Sequence, residues 1–119
     1  MRVLIIDDDA AIRRLLRMIV EGEGHEVTLA GDGADGWRTL TGPLPPDVLI
    51  LDRMLPDMDG ADLLRRLREE ERTRDLPVLL LTAAAHRSAR LDDGGPTRVV
   101  AKPFDLAEFR ALLAELAAG

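Results

Sequence analysis

Three adjacent carboxylates, Asp7, Asp8 and Asp9, directly follow the apolar run "VLII". Like charges at this spacing repel one another, and a buried carboxylate needs a cation or hydrogen-bond donors nearby. An oxygen-only cluster suits a hard divalent cation such as Mg²⁺, which prefers one or two carboxylates together with water and phosphate oxygens. The acidic run therefore indicates a metal site, which other parts of the chain must complete.

Three more polar residues stand at the ends of apolar runs. Asp52 follows "DVLIL", Thr82 closes "PVLLLT", and Lys102, the only lysine of the chain, follows "RVVA". A carboxylate beside a metal, an ammonium group and a hydroxyl is a plausible nucleophile toward phosphorus, because all three stabilise charge on a transferred phosphoryl group. These residue types predict phosphoryl chemistry at Asp52.

Apolar runs of strand length alternate along the chain with segments of helical period. The predicted strands are 2–6, 26–30, 47–51, 77–82 and 98–101, and the predicted helices are 10–24, a short piece around Trp37 and Leu40, 60–74, a weak segment at 85–91, and 105–118. The strands are continuously apolar, as in a parallel sheet that is covered on both faces. This pattern predicts a doubly wound α/β fold, a three-layer sandwich whose ligands bind at the carboxyl ends of the strands.

Length and composition limit the classes of function. A chain of 119 residues fits one domain, here residues 1–119, and the absence of cysteine excludes disulfides and thiolate metal sites. A net charge of −6 without a basic cluster argues against nucleic-acid binding by this domain itself. No apolar run is long enough to cross a bilayer and no signal-peptide pattern is present, so we expect a cytoplasmic protein without membrane contact.

Four segments, in order, resemble the signature segments of receiver domains of two-component response regulators, the CheY-like family: "LIIDDD", "PDVLILDRMLPDMDG", "PVLLLTA" and "AKPF". The resemblance covers nearly the whole chain and implies a flavodoxin-like five-stranded sheet in the order 2-1-3-4-5. It implies a phospho-accepting signalling domain that catalyses only its own phosphorylation and dephosphorylation. The implied partners are a sensor histidine kinase or phosphotransfer protein and an effector domain or downstream protein. We expect a monomer or weak dimer.

The resemblance also assigns a role to each site residue. By position, Asp52 matches the phospho-acceptor, and Asp7 and Asp8 match the acidic pair that holds Mg²⁺ together with Asp52. The backbone carbonyl of Met54 matches a further metal ligand. The remaining matches are Thr82 as the switch hydroxyl, Lys102 as the contact to the phosphoryl oxygens, Pro56 and Gly60 as loop residues, and Pro103 as the residue after a cis peptide bond.

Two departures from the family bear on its output. Val99 stands where the family carries an aromatic residue, three positions before Lys102. Met54 and Ala84 occupy the two positions that influence the attacking water in this family, and neither side chain forms hydrogen bonds with water. We therefore expect slow hydrolysis of the phosphorylated form.

Other polar residues have a structural interpretation. Asp9 is expected to cap the first helix, and Asp57 and Asp59 are expected to serve the turn and the start of the third helix. The segment "GDGADG" (31–36) satisfies the dinucleotide pattern G-x-G-x-x-G, but it follows the second strand and is interpreted as a turn and a helix start. His25 and His86 are interpreted as surface residues, and Trp37 as a packing residue.

Two other functions share parts of this pattern. A phosphatase or phosphotransferase of the haloacid-dehalogenase type also uses a strand-end Asp, but it needs a second Asp two residues later, where this chain has Met54. A flavin-binding module would need a loop rich in hydroxyls and glycine after the first strand. This chain has carboxylates there, which repel phosphate, so the receiver interpretation is favoured.

Overall fold

The structure is a computed structural model that describes residues 1–83 and 95–118. The elements are β1 (Arg2–Ile6), α1 (Ala10–Gly22), β2 (Glu26–Ala30), α2 (Gly33–Leu40), β3 (Val48–Asp52), α3 (Gly60–Glu69), β4 (Val78–Ala83), β5 (Thr97–Lys102) and α4 (Leu106–Ala118). The predicted helix at 85–91 lies outside the described residues, as do Ala84 and His86. None of the described helices has the length and apolar character required to span a membrane.

The strands form one parallel sheet in the order β2-β1-β3-β4-β5. Each predicted strand is confirmed to within one residue at either end. Ile6 pairs with Ala30 on one side and with Leu51 on the other, so the carboxyl ends of the inner strands lie side by side. This arrangement confirms the predicted flavodoxin-like fold and brings the strand ends to one edge of the sheet.

Side chains of the sheet alternate between two apolar layers, because successive residues of a strand point to opposite faces. Helices α1 and α4 cover one face with Leu16, Val20, Phe109 and Leu113, among others. Helices α2 and α3 cover the other face with Leu40, Leu63, Leu64 and Leu67. Every residue of β3 is buried, which explains its continuous apolar sequence.

Helix α1 begins where the sequence predicts and ends two residues before the predicted end at 24. The Asp9 side chain accepts hydrogen bonds from the backbone N–H groups of Ala11 (2.9 Å) and Ile12 (3.3 Å), which confirms it as the N-cap. The helix ends at Gly22, and Gly24 takes a φ of 90° that favours glycine. The Asp7-Asp8-Asp9 run is thereby held between a buried strand and a capped helix.

Helix α3 is shorter than predicted, since it ends at Glu69 and not at residue 74. Glu70 has extended backbone angles, and the Thr73 hydroxyl donates to the Leu67 carbonyl at 2.7 Å. The Arg68 guanidinium donates to the Leu76 carbonyl at 2.7 Å. These bonds turn the chain toward β4. The charged run after Leu67 has no apolar side to bury, so nothing holds it in a helix.

Candidate functional site

Three carboxylates meet at the carboxyl edge of the sheet. Oxygens of Asp7, Asp8 and Asp52 all lie within 4.8 Å of one another. Asp7 and Asp8 follow β1, and Asp52 is the last residue of the neighbouring strand β3. Asp7 and Asp52 are buried, whereas Asp8 is exposed. The structure thus brings together the acidic residues that the sequence assigns to a metal site.

Lys102 supplies the positive charge of this cluster. Its Nζ lies 3.1 Å from Asp52 Oδ2 and 3.4 Å from Asp7 Oδ2. The lysine is the last residue of β5, and its side chain is half-buried. One ammonium group therefore contacts two of the three carboxylates, and the cluster retains an excess of negative charge.

The protonation of this cluster follows from burial and from its neighbours. Burial is the main reason why the pKa of Asp7 is raised above its ordinary value of 3.8, and the charge of Asp52 adds to it, while the Asp9 N–H and Lys102 oppose it. For Lys102, burial alone would lower the pKa, but its hydrogen bonds and attraction to Asp52 and Asp7 outweigh burial and raise the pKa. The hydrogen bond from the Asp9 N–H and the charge of Lys102 therefore do not fully offset the cost of burying an ionised Asp7.

This donor set fits Mg²⁺. All of the converging ligands are oxygens, their spacing allows one ion to contact them together, and one of them is exposed and open to water. A divalent cation would offset the negative charge that Lys102 does not neutralise. Asp7, Asp8 and Asp52 are the residues that would hold it.

Thr82 contributes a hydroxyl beside the carboxylates. It lies in β4 next to β3, and it lines a cavity of ≈ 350 Å³ together with Asp8, Asp52, Met54 and Lys102. Its Oγ1 is buried and has no hydrogen-bond partner among residues 1–83 and 95–118. A buried hydroxyl without a partner is costly, so this group is well suited to an oxygen-bearing ligand in the cavity.

The loop after β3 folds back closely over Asp52. The Met54 N–H donates to Asp52 Oδ1 at 3.2 Å, while the Met54 side chain is 75% exposed. The Gly60 N–H donates to the Arg53 carbonyl at 2.6 Å, and a Cβ at Gly60 would collide with the Asp52 carbonyl oxygen. Glycine is therefore required at position 60, and Pro56 lies exposed in the same loop.

The peptide bond between Lys102 and Pro103 is cis, as the resemblance implies. Val99, at the position of the family aromatic, pairs with Leu80 and packs half-buried against the apolar layer under α2 and α3. Trp37 packs against the same layer, and the Arg66 guanidinium lies 4.1 Å from the centre of its ring. Its interpretation as a packing residue is confirmed.

Asp57 corrects a sequence-based prediction. Its carboxylate accepts hydrogen bonds from the backbone N–H groups of Gly33 (2.9 Å) and Ala34 (3.0 Å), at the start of α2 rather than α3. Asp59 alone caps α3, through the Ala61 N–H at 2.9 Å. The contact of Asp57 joins residues 24 positions apart, so no local spacing could reveal it.

The "GDGADG" segment forms the predicted turn and helix start. Asp32 caps α2 by accepting from the Asp35 N–H at 2.7 Å. The first two amides of α2, which would face a phosphate in a dinucleotide site, are occupied by Asp57. The dinucleotide interpretation is therefore unsupported.

Two further residues differ from expectation. The sequence predicts His25 at the surface, but the residue is half-buried, and its Nδ1 is buried without a hydrogen-bond partner in the described part of the chain. The sequence predicts no role for Arg13, yet its guanidinium donates to the Asp7 carbonyl at 2.6 Å and holds the acidic run in place. Nothing in the sequence distinguishes Arg13 from the other arginines of α1.

Comparison with known proteins agrees with this geometry. A family model described as the response regulator receiver domain matches residues 3–114. RpaA of Synechocystis, named a DNA-binding dual master transcriptional regulator, is 45% identical over 94% of this chain and 48% of its own length. The response regulator MprA of Mycobacterium avium is 39% identical over 98% of this chain and 50% of its own length. The chain spans about half the length of the curated relatives it matches.

Solved structures show the same fold. A response regulator from Chloroflexus aurantiacus superposes with a TM-score of 0.88 at 33% identity, covering 99% of this chain and 98% of that one. The receiver domain of sensor histidine kinase PA1611 from Pseudomonas aeruginosa superposes with a TM-score of 0.83 at 28% identity, covering 99% and 98%. That structure holds a magnesium ion in its active-site cleft.

Proposed function

The chain belongs to the receiver domain family of two-component response regulators, and from this premise we propose that Asp52 is its phospho-acceptor. A sensor histidine kinase or phosphotransfer protein would donate the phosphoryl group in a Mg²⁺-dependent reaction, and the whole of residues 1–119 would act as one receiver domain. The observation that carries the proposal is the position of the Asp52 carboxylate, between Lys102 and the acidic pair Asp7 and Asp8.

The proposed transfer begins with attack of an Asp52 carboxylate oxygen on phosphorus. The P–N bond of the donor phosphohistidine breaks, its electron pair stays on the imidazole, which takes up a proton, and an acyl phosphate forms on Asp52. Lys102 is in place to follow the charge onto a phosphoryl oxygen, since its Nζ already contacts Asp52. The Thr82 hydroxyl would donate to a second phosphoryl oxygen and so gain a partner that residues 1–83 and 95–118 do not provide.

Magnesium, held by Asp7, Asp8, Asp52 and the Met54 carbonyl, would neutralise charge on the phosphoryl oxygens. Hydrolysis reverses the modification: water attacks phosphorus, the P–O bond to Asp52 breaks, and inorganic phosphate leaves. The domain would catalyse only these two reactions of its own side chain. Within this proposal it is a signalling switch and not an enzyme that turns over an external substrate.

The output is also part of the proposal. RpaA is named a DNA-binding regulator and is about twice as long as this chain, so we propose that the phosphorylated domain acts on an effector domain or a downstream protein. With a net charge of −6, the domain itself would not bind nucleic acid. It would act in the cytoplasm, as response regulators generally do, as a monomer or weak dimer.

The test is incubation with acetyl phosphate and Mg²⁺, followed by intact mass and peptide mapping. We expect a gain of one phosphoryl group on Asp52, which chelation of Mg²⁺ prevents and Asp52→Asn abolishes. Labelling at another residue would contradict the proposal. Multiple turnover of a phosphate monoester would instead favour a phosphatase.

A further inference from the structure

The loop between β3 and α3, residues 53–59, has little apolar burial to hold it in place. Met54, Pro56, Asp57 and Asp59 are exposed, and only Leu55 and Met58 among its apolar residues reach the layer under α2 and α3. Such a loop would be free to shift unless polar contacts fix it.

Bonds within the loop define its shape. The Leu55 N–H donates to the Met58 carbonyl at 3.3 Å, and Met54 and Asp59 form an isolated antiparallel bridge. The Arg53 guanidinium lies 3.4 Å from Asp59 Oδ1. All of these contacts join loop residues to one another, so they do not determine where the loop lies relative to the rest of the domain.

The first residue of this loop is tied to β4, where the Arg53 N–H donates to the Leu81 carbonyl at 2.9 Å. Asp57 makes the polar contact that ties the middle of the loop to α2, an element that does not flank it. Its two carboxylate oxygens each accept one N–H of α2, from Gly33 at 2.9 Å and from Ala34 at 3.0 Å. The Met58 side chain packs directly over Gly33, where a Cβ would collide with its sulfur. The loop is thus docked on the first turn of α2 by one charged and one apolar contact.

The charge of Asp57 suits this position. The first amides of a helix lack intrahelical acceptors and carry a partial positive charge, which favours a carboxylate. The hydrogen bond from Gly33 is the main reason why the pKa of Asp57 is lowered from its ordinary value of 3.8. The carboxylate is therefore ionised and bonded at neutral pH, and it stays apart from the repulsion within the acidic cluster.

The docked loop leads directly to the phosphorylation site. Asp57 lies three residues after Met54, whose N–H bonds Asp52 Oδ1 and whose carbonyl is the proposed metal ligand. A shift of the loop would therefore move a ligand of the metal and a hydrogen-bond donor to the phospho-acceptor together.

We propose that Asp57 is a positioning residue for the phosphorylation site, which acts by fixing the 53–59 loop, and with it Met54, to the N-terminus of α2. The inference rests on the proposed function of Asp52 and Met54. It assigns Asp57 no contact with metal or phosphate. It predicts that loss of the two α2 hydrogen bonds weakens Mg²⁺ binding and slows phosphorylation while the acidic cluster stays intact.

The experiment compares Asp57→Ala and Asp57→Asn with wild type and with Asp62→Ala. Asn keeps one acceptor oxygen, so it can retain one of the two α2 hydrogen bonds. Asp62 is a matched control, because it is an exposed carboxylate of α3 that pairs with the Arg65 side chain at 2.5 Å. Amide NMR reports the Gly33 and Ala34 N–H groups directly, a Mg²⁺ titration gives the dissociation constant, and acetyl phosphate gives the labelling rate.

In Asp57→Ala we expect the Gly33 and Ala34 amide protons to shift upfield, the Mg²⁺ dissociation constant to rise about tenfold, and labelling to slow by a similar factor. Asp57→Asn should fall between this variant and wild type, and Asp62→Ala should match wild type. The proposal would be overturned by a variant in which the Gly33 and Ala34 amide protons have shifted upfield while the Mg²⁺ affinity is unchanged. An equal loss of affinity in Asp62→Ala would also overturn it, since general surface charge would then explain the effect.

Two outcomes separate this inference from the function on which it rests. If wild type gains no phosphoryl group on Asp52, the proposed function fails, and the Mg²⁺ affinities alone still decide the role of Asp57. If Asp57→Ala does not give the NMR spectrum of a folded protein, Asp57→Asn carries the test, with the same expected direction and a smaller change.

Discussion

Lys102 Nζ lies 3.1 Å from Asp52 Oδ2, so the proposed phospho-acceptor contacts the one lysine of the chain. The contact joins the last residues of β3 and β5, which are separated in the sheet by β4. It partly neutralises a carboxylate that lies beside Asp7 and Asp8 and also accepts a hydrogen bond from the Met54 N–H. In the proposed phosphoryl transfer, the same ammonium group would be close enough to bind the new phosphoryl oxygens.

Asp8→Asn should abolish labelling by acetyl phosphate within the detection limit of mass spectrometry. Asp8 is the exposed member of the acidic cluster, so its loss removes a proposed metal ligand without disturbing the core. We expect the free energy of unfolding to change by less than about 0.5 kcal/mol. Asp75→Asn, at an exposed site away from the cluster, serves as the control. Labelling of Asp8→Asn at the wild-type rate would refute the metal assignment.

Asp7→Asn should stabilise the protein in metal-free buffer at pH 7. The pKa of Asp7 is raised above 3.8 by burial, so the ionised form lowers the stability of the fold. Replacing this carboxylate with a neutral amide should raise the melting temperature by about 4 °C for each 1 kcal/mol of stabilisation. Asp52→Asn should act in the same direction, because it also removes a charge from the cluster.

The advantage of Asp7→Asn should depend on pH. Above 3.8, up to its raised pKa, Asp7 binds more protons in the folded than in the unfolded protein, so wild-type stability falls as pH rises through this window. Lowering the pH toward 3.8 should therefore narrow the difference between the variant and wild type. Asp57 does not interfere in this window. Its pKa is lowered from 3.8, so the stability that it contributes is present above 3.8 and is lost only as the pH falls below that value. Melting curves of equal midpoint at pH 7 would count against a crowded acidic site.

Met54→Asn with Ala84→Glu should shorten the lifetime of the phosphorylated domain. The Met54 side chain is 75% exposed beside the site cavity and offers no strong hydrogen bond to water. Polar side chains at the two positions should orient the attacking water and speed hydrolysis about tenfold or more. The decay of the phosphorylated mass after removal of acetyl phosphate measures this rate. A lifetime equal to that of wild type in the double variant would show that the two side chains do not control the water.

Gly36→Ala and Gly22→Ala should change stability in opposite directions, although both glycines lie in helices. A Cβ at Gly36 would collide with the buried Ile6 side chain, and overpacking of this kind costs about 1–3 kcal/mol. A Cβ at Gly22 meets no atom within 4 Å, so the higher helix propensity of alanine should add up to about 1 kcal/mol. Urea unfolding measures both. Equal effects would mean that α2 adjusts to the added methyl group.

The sheet and the site could be predicted because they depend on the same pattern. Strands buried on both faces are continuously apolar, and a polar residue at the end of such a run stands out, as Asp52 and Lys102 do. Parallel pairing then brings the ends to one edge. The grouping of Asp7, Asp8 and Asp52 was therefore predictable from the sequence, while their roles in phosphoryl transfer await the experiments above.

The features that could not be predicted depend on tertiary contacts of polar side chains. Asp57 looks like a turn residue, and only the fold shows that α2 lies within its reach. The end of α3 depends on Thr73 and Arg68, which bond carbonyls that a longer helix or solvent would otherwise satisfy. The burial of His25 Nδ1 likewise has no counterpart in the local sequence.

Because Lys102 is the single lysine of the chain, chemical modification of its amine can report on the site. Reagents that acylate amines have only the N-terminus and Lys102 to modify in this chain. The ammonium group of Lys102 is held in its protonated, unreactive form by Asp52 and Asp7, which raise its pKa. The amino group of the exposed Met1 should therefore react first and can serve as an internal standard. The acylation rate of Lys102 relative to this standard would report, without any mutation, how the electrostatic surroundings of Asp52 change when a cation or phosphate binds.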